Sequence, residues 1–185
     1  MKKILILVFV WVMVDGCKDN CGDEQGLLTP QELAWLPYYN GQVLVFQSDS
    51  GKIDTVTVTK SITSYQYGVS ENGNCPLIYS AENGKEILNF GSDSLSLRFD
   101  ISINHNSSPA IIGNYEQFVF SNYSTQNNVT VNNINYNDIY VMAQDTTGWY
   151  AKLQNRQKVW KVYYTQQKGL LEFIVYEGSN WVRIH

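Results

Sequence analysis

The sequence contains few of the residue types from which metal sites and catalytic centres are built. Its 185 residues include three cysteines and two histidines, His105 and His185. The histidines form neither a His-x-x-x-His nor a Glu-x-x-His spacing, so the usual local ligands of zinc are missing. A Gly-x-Ser-x-Gly elbow and a glycine-rich phosphate loop are missing too. We therefore predict no catalytic residue, no metal and no cofactor, and expect His105 in a turn and His185 at an exposed end.

Positive charge is also scarce. The chain has 13 Lys and Arg residues against 17 Asp and Glu residues, which gives a net charge of −4. Binding to nucleic acid requires clustered Lys and Arg opposite the phosphates. A mildly acidic chain without a basic stripe therefore predicts no nucleic-acid partner, and it argues against charge-driven binding to anionic membrane surfaces.

A hydrophobic run long enough to span a membrane is absent. The apolar run of residues 4–14 has eleven residues, while a transmembrane helix needs about 20. Lys2 and Lys3 precede this run, and Asp15-Gly16-Cys17 follows it. This order of positive, apolar and small residues is typical of a secretory signal. We predict that residues 1–16 are a signal peptide that is removed.

The cysteine that directly follows Gly16 makes this segment resemble a bacterial lipoprotein signal. The resemblance implies that Cys17 carries lipid such as palmitate, becomes the mature N-terminus and anchors the protein to the outer membrane of a cell envelope. Asp15 is charged where a small neutral residue is usual, and ordinary secretion is the alternative. Residues 17–28 are polar and acidic, which predicts a flexible tether. Their acidic run also resembles a surface-export signal, so the periplasmic face and the cell surface both stay open.

The two remaining cysteines are Cys21 and Cys75. In an oxidising envelope compartment they are candidates for one disulfide. Two free thiols, or pairing between molecules, are the alternatives.

Period-two alternation dominates the rest of the chain. In residues 94–104 apolar side chains alternate with polar ones without a break, which is typical of a strand with one buried and one solvated face. Asn83-Gly84 predicts a type I′ turn, and residues 49–51 and 177–180 are also turn-like. The predicted strands are residues 42–47, 55–59, 77–80, 85–90, 94–104, 115–123, 128–131, 138–143, 158–165, 170–177 and 181–184.

One short helix is predicted near the start of this body. Thr29, Pro30 and Glu32 form a capping box with proline at the first helical position, and Pro37 ends the helix. Residues 29–185 are thus predicted to form a single all-β domain, an antiparallel sheet with one short N-terminal helix. A β-sandwich is the alternative.

Several stretches resemble uncharacterised Bacteroidetes-type lipoproteins. The similarity covers the run from Thr29 to Tyr38, the segment of residues 131–141, and a tail with Tyr163-Tyr164, a turn at glycine and a closing hairpin. It implies a strongly curved sheet, a half-barrel or barrel-like fold, and no settled activity.

Aromatic residues are abundant, with 13 Tyr and five Trp. Flat rings together with the many Asn side chains are compatible with a sugar-binding or peptide-binding face. The candidate ligand-facing residues are Tyr38, Trp149, Trp160 and Tyr163. The alternative is that aromatics simply fill a curved sheet.

Three segments, Asp54-Thr55-Val56, Asp93-Ser94-Leu95 and Asp145-Thr146-Thr147, resemble the acceptor pattern of Bacteroidetes-type O-glycosylation. The resemblance implies Thr55, Ser94 and Thr146 as acceptors. That Thr55 and Ser94 merely begin strands is the alternative.

Together these features predict a lipid-anchored, non-enzymatic envelope protein. Its curved sheet is expected to bind an apolar or glycan ligand or a protein partner. A structural or assembly lipoprotein without a small-molecule ligand is one alternative, and a hydrolase with a site built from scattered residues is another.

Overall fold

The computed structural model describes residues 24–72, 75–92, 95–113, 116–143, 159–175 and 179–185. The chain divides into a larger unit, Gly26–Tyr65 with Ala81–His185, and a smaller unit, Met1–Gln25 with Gln66–Ser80. The predicted signal peptide and most of the predicted tether lie outside the described residues. Within the described residues, no helix has the length and apolar character needed to span a membrane.

Strands make up most of the described chain, and the one α-helix, α1, is Pro30–Leu33. The strands are β1 Glu24–Gly26, β2 Val43–Ser48, β3 Ile53–Asn72, β4 Cys75–Ser92, β5 Leu95–Asn104, β6 Ala110–Gly113, β7 Glu116–Val119, β8 Thr125–Gln126, β9 Val129–Val131, β10 Ile134–Tyr136, β11 Ile139–Ala143, β12 Val159–Thr165, β13 Gly169–Val175 and β14 Asn180–Arg183.

Twelve of these strands form one sheet in the order β7-β6-β5-β4-β3-β2-β14-β13-β12-β11-β8, with β1 beside β4. Strand β14 pairs antiparallel with β2, so the last strand of the chain joins the first long one. The remaining two strands, β9 and β10, form a separate hairpin. The all-β prediction with one antiparallel sheet and a short N-terminal helix is confirmed.

The sheet of the larger unit is strongly curled, as the contacts across its concave side show. Phe99 on β5 and Phe173 on β13 are five steps apart in the strand order, which would be about 24 Å in a flat sheet. Their ring centroids are 4.9 Å apart. At the two ends of the order, the ring of Phe120, directly after β7, lies 5.1 Å from that of Tyr140 on β11. The predicted half-barrel curvature is therefore confirmed.

Side chains from nearly every strand fill the concave side. Phe46, Phe90, Phe99, Phe173 and Trp181 form its aromatic centre, with successive ring centroids 4.9 to 6.3 Å apart. Burial of this apolar surface is the main stabilising contribution, at roughly 25 cal/mol per Å².

The helix begins as the sequence predicts. The Thr29 hydroxyl accepts a hydrogen bond from the Glu32 amide at 3.2 Å, and the Glu32 carboxylate accepts one from the Thr29 amide at 2.7 Å. These bonds satisfy amide groups that a helix start would otherwise leave open. The hydrogen bond from Thr29 lowers the pKa of Glu32 to about 2.

The turn predicted at Asn83-Gly84 is wrong. Both residues lie inside β4, where they pair with Asn104 and Ile103 of β5. A Cβ atom on Gly84 would lie 2.5 Å from Cδ1 of Leu36. The glycine therefore serves close packing of the N-terminal segment on the strand rather than a turn. In contrast, the turn predicted at residues 49–51 is confirmed, with Gly51 at φ 82°.

Strands β3 and β4 are unusually long, with 20 and 18 residues, whereas most strands have three to ten residues. The segments predicted as separate strands, residues 77–80 and 85–90, are continuous in β4. The part of these strands in residues 66–72 and 75–80 belongs to the smaller unit.

Residues just before the helix are also held in place. Strand β1 pairs with β4, and Leu28 is only 7% exposed. The Leu28 amide donates a hydrogen bond to the Glu82 carboxylate at 2.9 Å. Residues 24–28 belong to the segment that the sequence predicts as tether.

Candidate functional site

The β9–β10 hairpin is a small, closely fixed element. Val131 pairs with Ile134 across a two-residue turn of Asn132 and Asn133. Both asparagines have positive φ, 47° and 59°. This is the geometry of a type I′ turn, which favours Asn because its short side chain tolerates left-handed backbone.

Asparagine side chains also close the base of this hairpin. The Asn128 amide donates to the Asn137 side-chain oxygen at 3.3 Å, and the Asp138 amide donates to the Asn127 side-chain oxygen at 3.4 Å. Asn128 and Asp138 again have positive φ. The hairpin therefore leaves and rejoins the sheet at a defined point.

The hairpin covers a second apolar cluster, separate from the main core. Val131, Ile139 and Leu171 are buried in it. Five partly buried side chains pack around them: Val129, Tyr136, Val141, Tyr163 and Val182. Because Tyr140 and Met142 pack with the main core while Ile139 and Val141 pack here, the hairpin lies on the convex face of the sheet.

A cleft of about 300 Å³, which we call the polar cleft, lies between the base of the hairpin and the β12–β13 turn. It is lined by Thr125, Tyr136, Asn137, Asp138, Tyr140, Thr165, Gln166, Gln167 and Lys168.

The polar cleft combines an aromatic wall with many hydrogen-bonding groups. Lys168 Nζ lies 5.5 Å from the centroid of the Tyr136 ring, within the range of a cation–π contact. Asn137, Asp138 and Gln167 add amide and carboxylate groups around it. Such a site can stack a flat apolar surface and bind hydroxyl groups at the same time.

A second cleft of about 170 Å³, which we call the basic cleft, adjoins the first. It is lined by Val131, Asn132, Ile134, Tyr136, Lys168, Leu171, Arg183, Ile184 and His185. Tyr136 and Lys168 line both clefts, so the two form neighbouring parts of one surface.

A buried ion pair lies elsewhere, at the segment between α1 and β2. Lys60 Nζ is 3.1 Å from Glu86 Oε1, and it also donates to the carbonyl oxygens of Leu36 and Tyr38. The Tyr38 amide donates to the same Glu86 oxygen at 2.9 Å. Burial raises the pKa of Glu86 to about 7, and its other oxygen has no hydrogen-bond partner among the described residues.

Two buried phenols extend this cluster. The Tyr38 hydroxyl accepts hydrogen bonds from the Leu170 amide at 2.7 Å and from Arg183 Nη1 at 3.2 Å. The Tyr164 hydroxyl donates to the Trp35 carbonyl at 2.5 Å. Burial raises the pKa of both phenols. Since their partners are mainly backbone groups, this cluster fixes the N-terminal segment on the sheet and is a structural feature.

The aromatic residues predicted to face a ligand do not meet in one place. Tyr38 is 3% exposed and belongs to the core. Tyr163 packs beside the hairpin, with Lys161 Nζ 4.8 Å above its ring. Trp160 is half-buried in β12, and Trp149 lies outside the described residues.

Of the other predicted sites, only two fall on described residues. Thr55 is exposed in β3, opposite Val45 of β2. Cys75 is the first residue of β4. Four lie outside the described residues: Cys17, Cys21, Ser94 and Thr146. The lipidation, the disulfide and the O-glycosylation stay predictions.

His105 lies where β5 turns, as the sequence predicts, and Asn106 after it has φ 56°. Its Nδ1 is 3.5 Å from the Glu32 carboxylate. In the described part of the chain, no three residues among His, Cys, Asp and Glu gather as a metal ion would require.

Sequence reasoning missed the polar cleft. Its walls come from the end of β10 and from the β12–β13 turn, which are some 30 residues apart. The Asn132-Asn133 dipeptide, a type I′ turn signal, could have placed the hairpin but not its neighbours.

No protein-family model matches this chain, and searches of curated proteins and of solved structures also found no match.

Proposed function

We propose that this protein is a lipid-anchored, non-enzymatic protein of the cell envelope that binds a glycan in the polar cleft. The observation that carries the proposal is the cleft itself, about 300 Å³ with Tyr136 beside amide and carboxylate side chains. A volume of this size is at the lower end of the range for small-molecule sites.

The composition of the cleft favours a sugar over an apolar ligand. A pyranose ring has an apolar C–H face, which can stack on the Tyr136 ring, and hydroxyl groups around its edge. Those hydroxyls need donors and acceptors, because a polar group buried without a partner costs about 1–3 kcal/mol. Asn137, Asp138 and Gln167 can supply both.

The packing of the concave side argues against a ligand site there and in favour of the polar cleft. Phe90 lies 5.1 Å from both Phe46 and Phe173, measured between ring centroids. Side chains thus occupy the position in which an apolar ligand inside a half-barrel would bind. The packing of these rings favours the alternative stated above, that the abundant aromatic residues fill the core of a curved sheet.

The envelope anchor belongs to the same proposal. Its support is the signal-like order of Lys2 and Lys3, the apolar run of residues 4–14, and Cys17 after Gly16. An anchor at Cys17 would hold the glycan-binding body at a membrane without a spanning segment.

The binding proposal can be tested with full-length protein in detergent on an array of glycans. We expect retention on at least one class of glycan. Tyr136→Ala should weaken binding about fivefold, since an aromatic contact contributes about 1 kcal/mol. Asp138→Asn, which keeps a residue that tolerates positive φ, should also weaken it.

Tyr39→Ala is the matched control, because Tyr39 is 67% exposed and lines neither cleft. It should bind as the wild type does. The proposal is wrong if no glycan is retained, or if Tyr136→Ala and the wild type bind equally well.

The second candidate function is assembly with another envelope protein. Val43 and Ile53 on the neighbouring strands β2 and β3 are 54% and 59% exposed. Both side chains lie on the same face of the β2–β3 pair, at its opposite ends, and a contact surface between them would have to span the face of both strands. The test compares the size of the complex that contains this protein, solubilised from the native envelope, between the wild type and the double variant Val43→Lys/Ile53→Lys. An unchanged size in the double variant excludes this candidate.

A further inference from the structure

We infer that the glycan carries an anionic group, a carboxylate or a sulfate, and that the basic cleft binds this group. The inference rests on the proposed glycan-binding function and names the class of sugar. Its basis is the position of two cationic side chains, Lys168 and Arg183, in the wall of that cleft.

Arg183 is held in place by groups that leave its charge intact. Its Nη1 donates to the Tyr38 hydroxyl at 3.2 Å and to the Lys168 carbonyl. Its guanidinium carbon lies 6.0 Å from the centroid of the Tyr38 ring. All three partners are neutral, so the guanidinium is oriented but not neutralised, and its Nε and Nη2 groups remain able to bind a carboxylate or sulfate through two hydrogen bonds.

Lys168 is the second cation, and it is exposed in the β12–β13 turn. Its ammonium nitrogen lies 5.5 Å from the centroid of the Tyr136 ring. Within the described part of the chain, no carboxylate lies within the 4.0 Å of an ion pair from Lys168 or Arg183. In a chain with net charge −4, two cations that line one cleft and have no ion-pair partner among the described residues favour an external anion there.

The two clefts also define an orientation for the sugar. Tyr136 and Lys168 line both, so a ligand of two or more rings can extend from one to the other. Asp138 lines only the polar cleft, where its charge disfavours an anionic group. The neutral hydroxyl-bearing part should therefore lie in the polar cleft and the acidic group in the basic cleft.

The first experiment applies full-length protein to an array that contains neutral, carboxylated and sulfated glycans. The inference expects retention on carboxylated or sulfated glycans and at least about fivefold weaker retention on their neutral counterparts. Retention on neutral glycans alone, or equally on both, overturns the inference and leaves glycan binding intact. No retention on any glycan overturns both.

The second experiment measures Kd for the best acidic glycan and for its carboxyl-reduced or desulfated form. Lys168→Gln should weaken binding of the acidic form about threefold to fivefold, as expected for an exposed ion pair. Arg183→Gln should weaken it about tenfold or more. Neither variant should change binding of the neutral form by as much.

Lys52→Gln is the control, because Lys52 is exposed in the β2–β3 turn and lines neither cleft. It should bind both forms as the wild type does. Loss of stability in Arg183→Gln would not obscure the result, since Lys168→Gln changes only an exposed side chain. Equal Kd values for Lys168→Gln and wild type with the acidic glycan overturn the inference.

Discussion

Glu86 shows how a single charged residue can be buried for structural reasons. Its side chain is fully buried and paired with Lys60 at 3.1 Å. One oxygen of its carboxylate accepts a hydrogen bond from the Tyr38 amide. Burial raises the pKa of Glu86 to about 7. The pair thus fastens the segment after α1 to β3 and β4, at the cost of removing a carboxylate from water.

This burial makes stability depend on pH in a defined direction. A raised pKa means that the folded state binds the Glu86 proton more tightly than the unfolded state does. The contribution is fully present below the unfolded pKa, about 4.5, and is lost as pH rises through about 7. Its size is at most roughly 3 to 4 kcal/mol, at about 1.4 kcal/mol per pKa unit.

We therefore expect Glu86→Gln, which is neutral at every pH, to gain thermal stability relative to the wild type between pH 5 and pH 8. The difference in Tm between the two proteins should shift by several degrees over this range. Asp49→Asn, which removes an exposed carboxylate from the β2–β3 turn, controls for the loss of one negative charge. An equal Tm difference at both pH values contradicts the role of Glu86.

At the scale of the element, the packing on β4 depends on Gly84, the residue for which the sequence wrongly predicted a turn. Gly84 lies against Leu36 and Leu28, and a Cβ atom there would be 2.5 Å from the first and 3.1 Å from the second. Both leucines are buried, so a shift of either side chain has to be accommodated by the residues packed around it. The N-terminal segment can pack on β4 because this position has no side chain.

Gly84→Ala should consequently destabilise the fold by about 1–3 kcal/mol, the usual cost of overpacking. Gly91→Ala is a closely matched control, since Gly91 lies on the same strand with nothing within 4 Å of its added Cβ. Urea unfolding of both variants measures the difference. Equal free energies of unfolding for the two variants would refute the packing argument.

Local patterns predicted the elements that local chemistry controls. The strand at β5 followed from unbroken alternation, and the cap of α1 followed from Thr29 and Glu32. The turn predicted at Asn83-Gly84 is wrong because this dipeptide, although typical of turns, lies in a strand where Gly84 makes room for Leu36. Strand β10 was missed because it has only three residues, too few to show a period.

The candidate site could not be predicted for a different reason. The polar cleft forms where the base of the β9–β10 hairpin, at Tyr136 to Asp138, meets Gln167 and Lys168 of the β12–β13 turn. That juxtaposition depends on pairing between β11 and β12 across residues 144–158. The composition shows that aromatic and amide side chains are abundant. The hydrophobic periodicity cannot predict which of these side chains lie together in the folded chain.

At the scale of the whole molecule, the two ends of the chain have different relations to the fold. The C-terminal strand β14 lies between β13 and β2 in the sheet, so residues 180–183 help to complete the curl. Three side chains of the N-terminal segment, those of Leu28, Leu36 and Tyr38, are buried, and the two leucines pack against Gly84 of β4. Anchoring at Cys17 would place the lipid only seven residues before β1, the strand that pairs with β4.

The anchor is tested by Cys17→Ala in the native host. We expect the wild type in the membrane fraction, labelled by a palmitate analogue, and Cys17→Ala without label in the soluble envelope fraction. Even one acyl chain gives only marginal membrane binding. Because Cys17→Ala would carry no acyl chain, we expect its complete release from the membrane. Cys21→Ala, four residues further along, should stay labelled and membrane-bound. If Cys17→Ala remains in the membrane fraction, the protein is held there by something other than this cysteine.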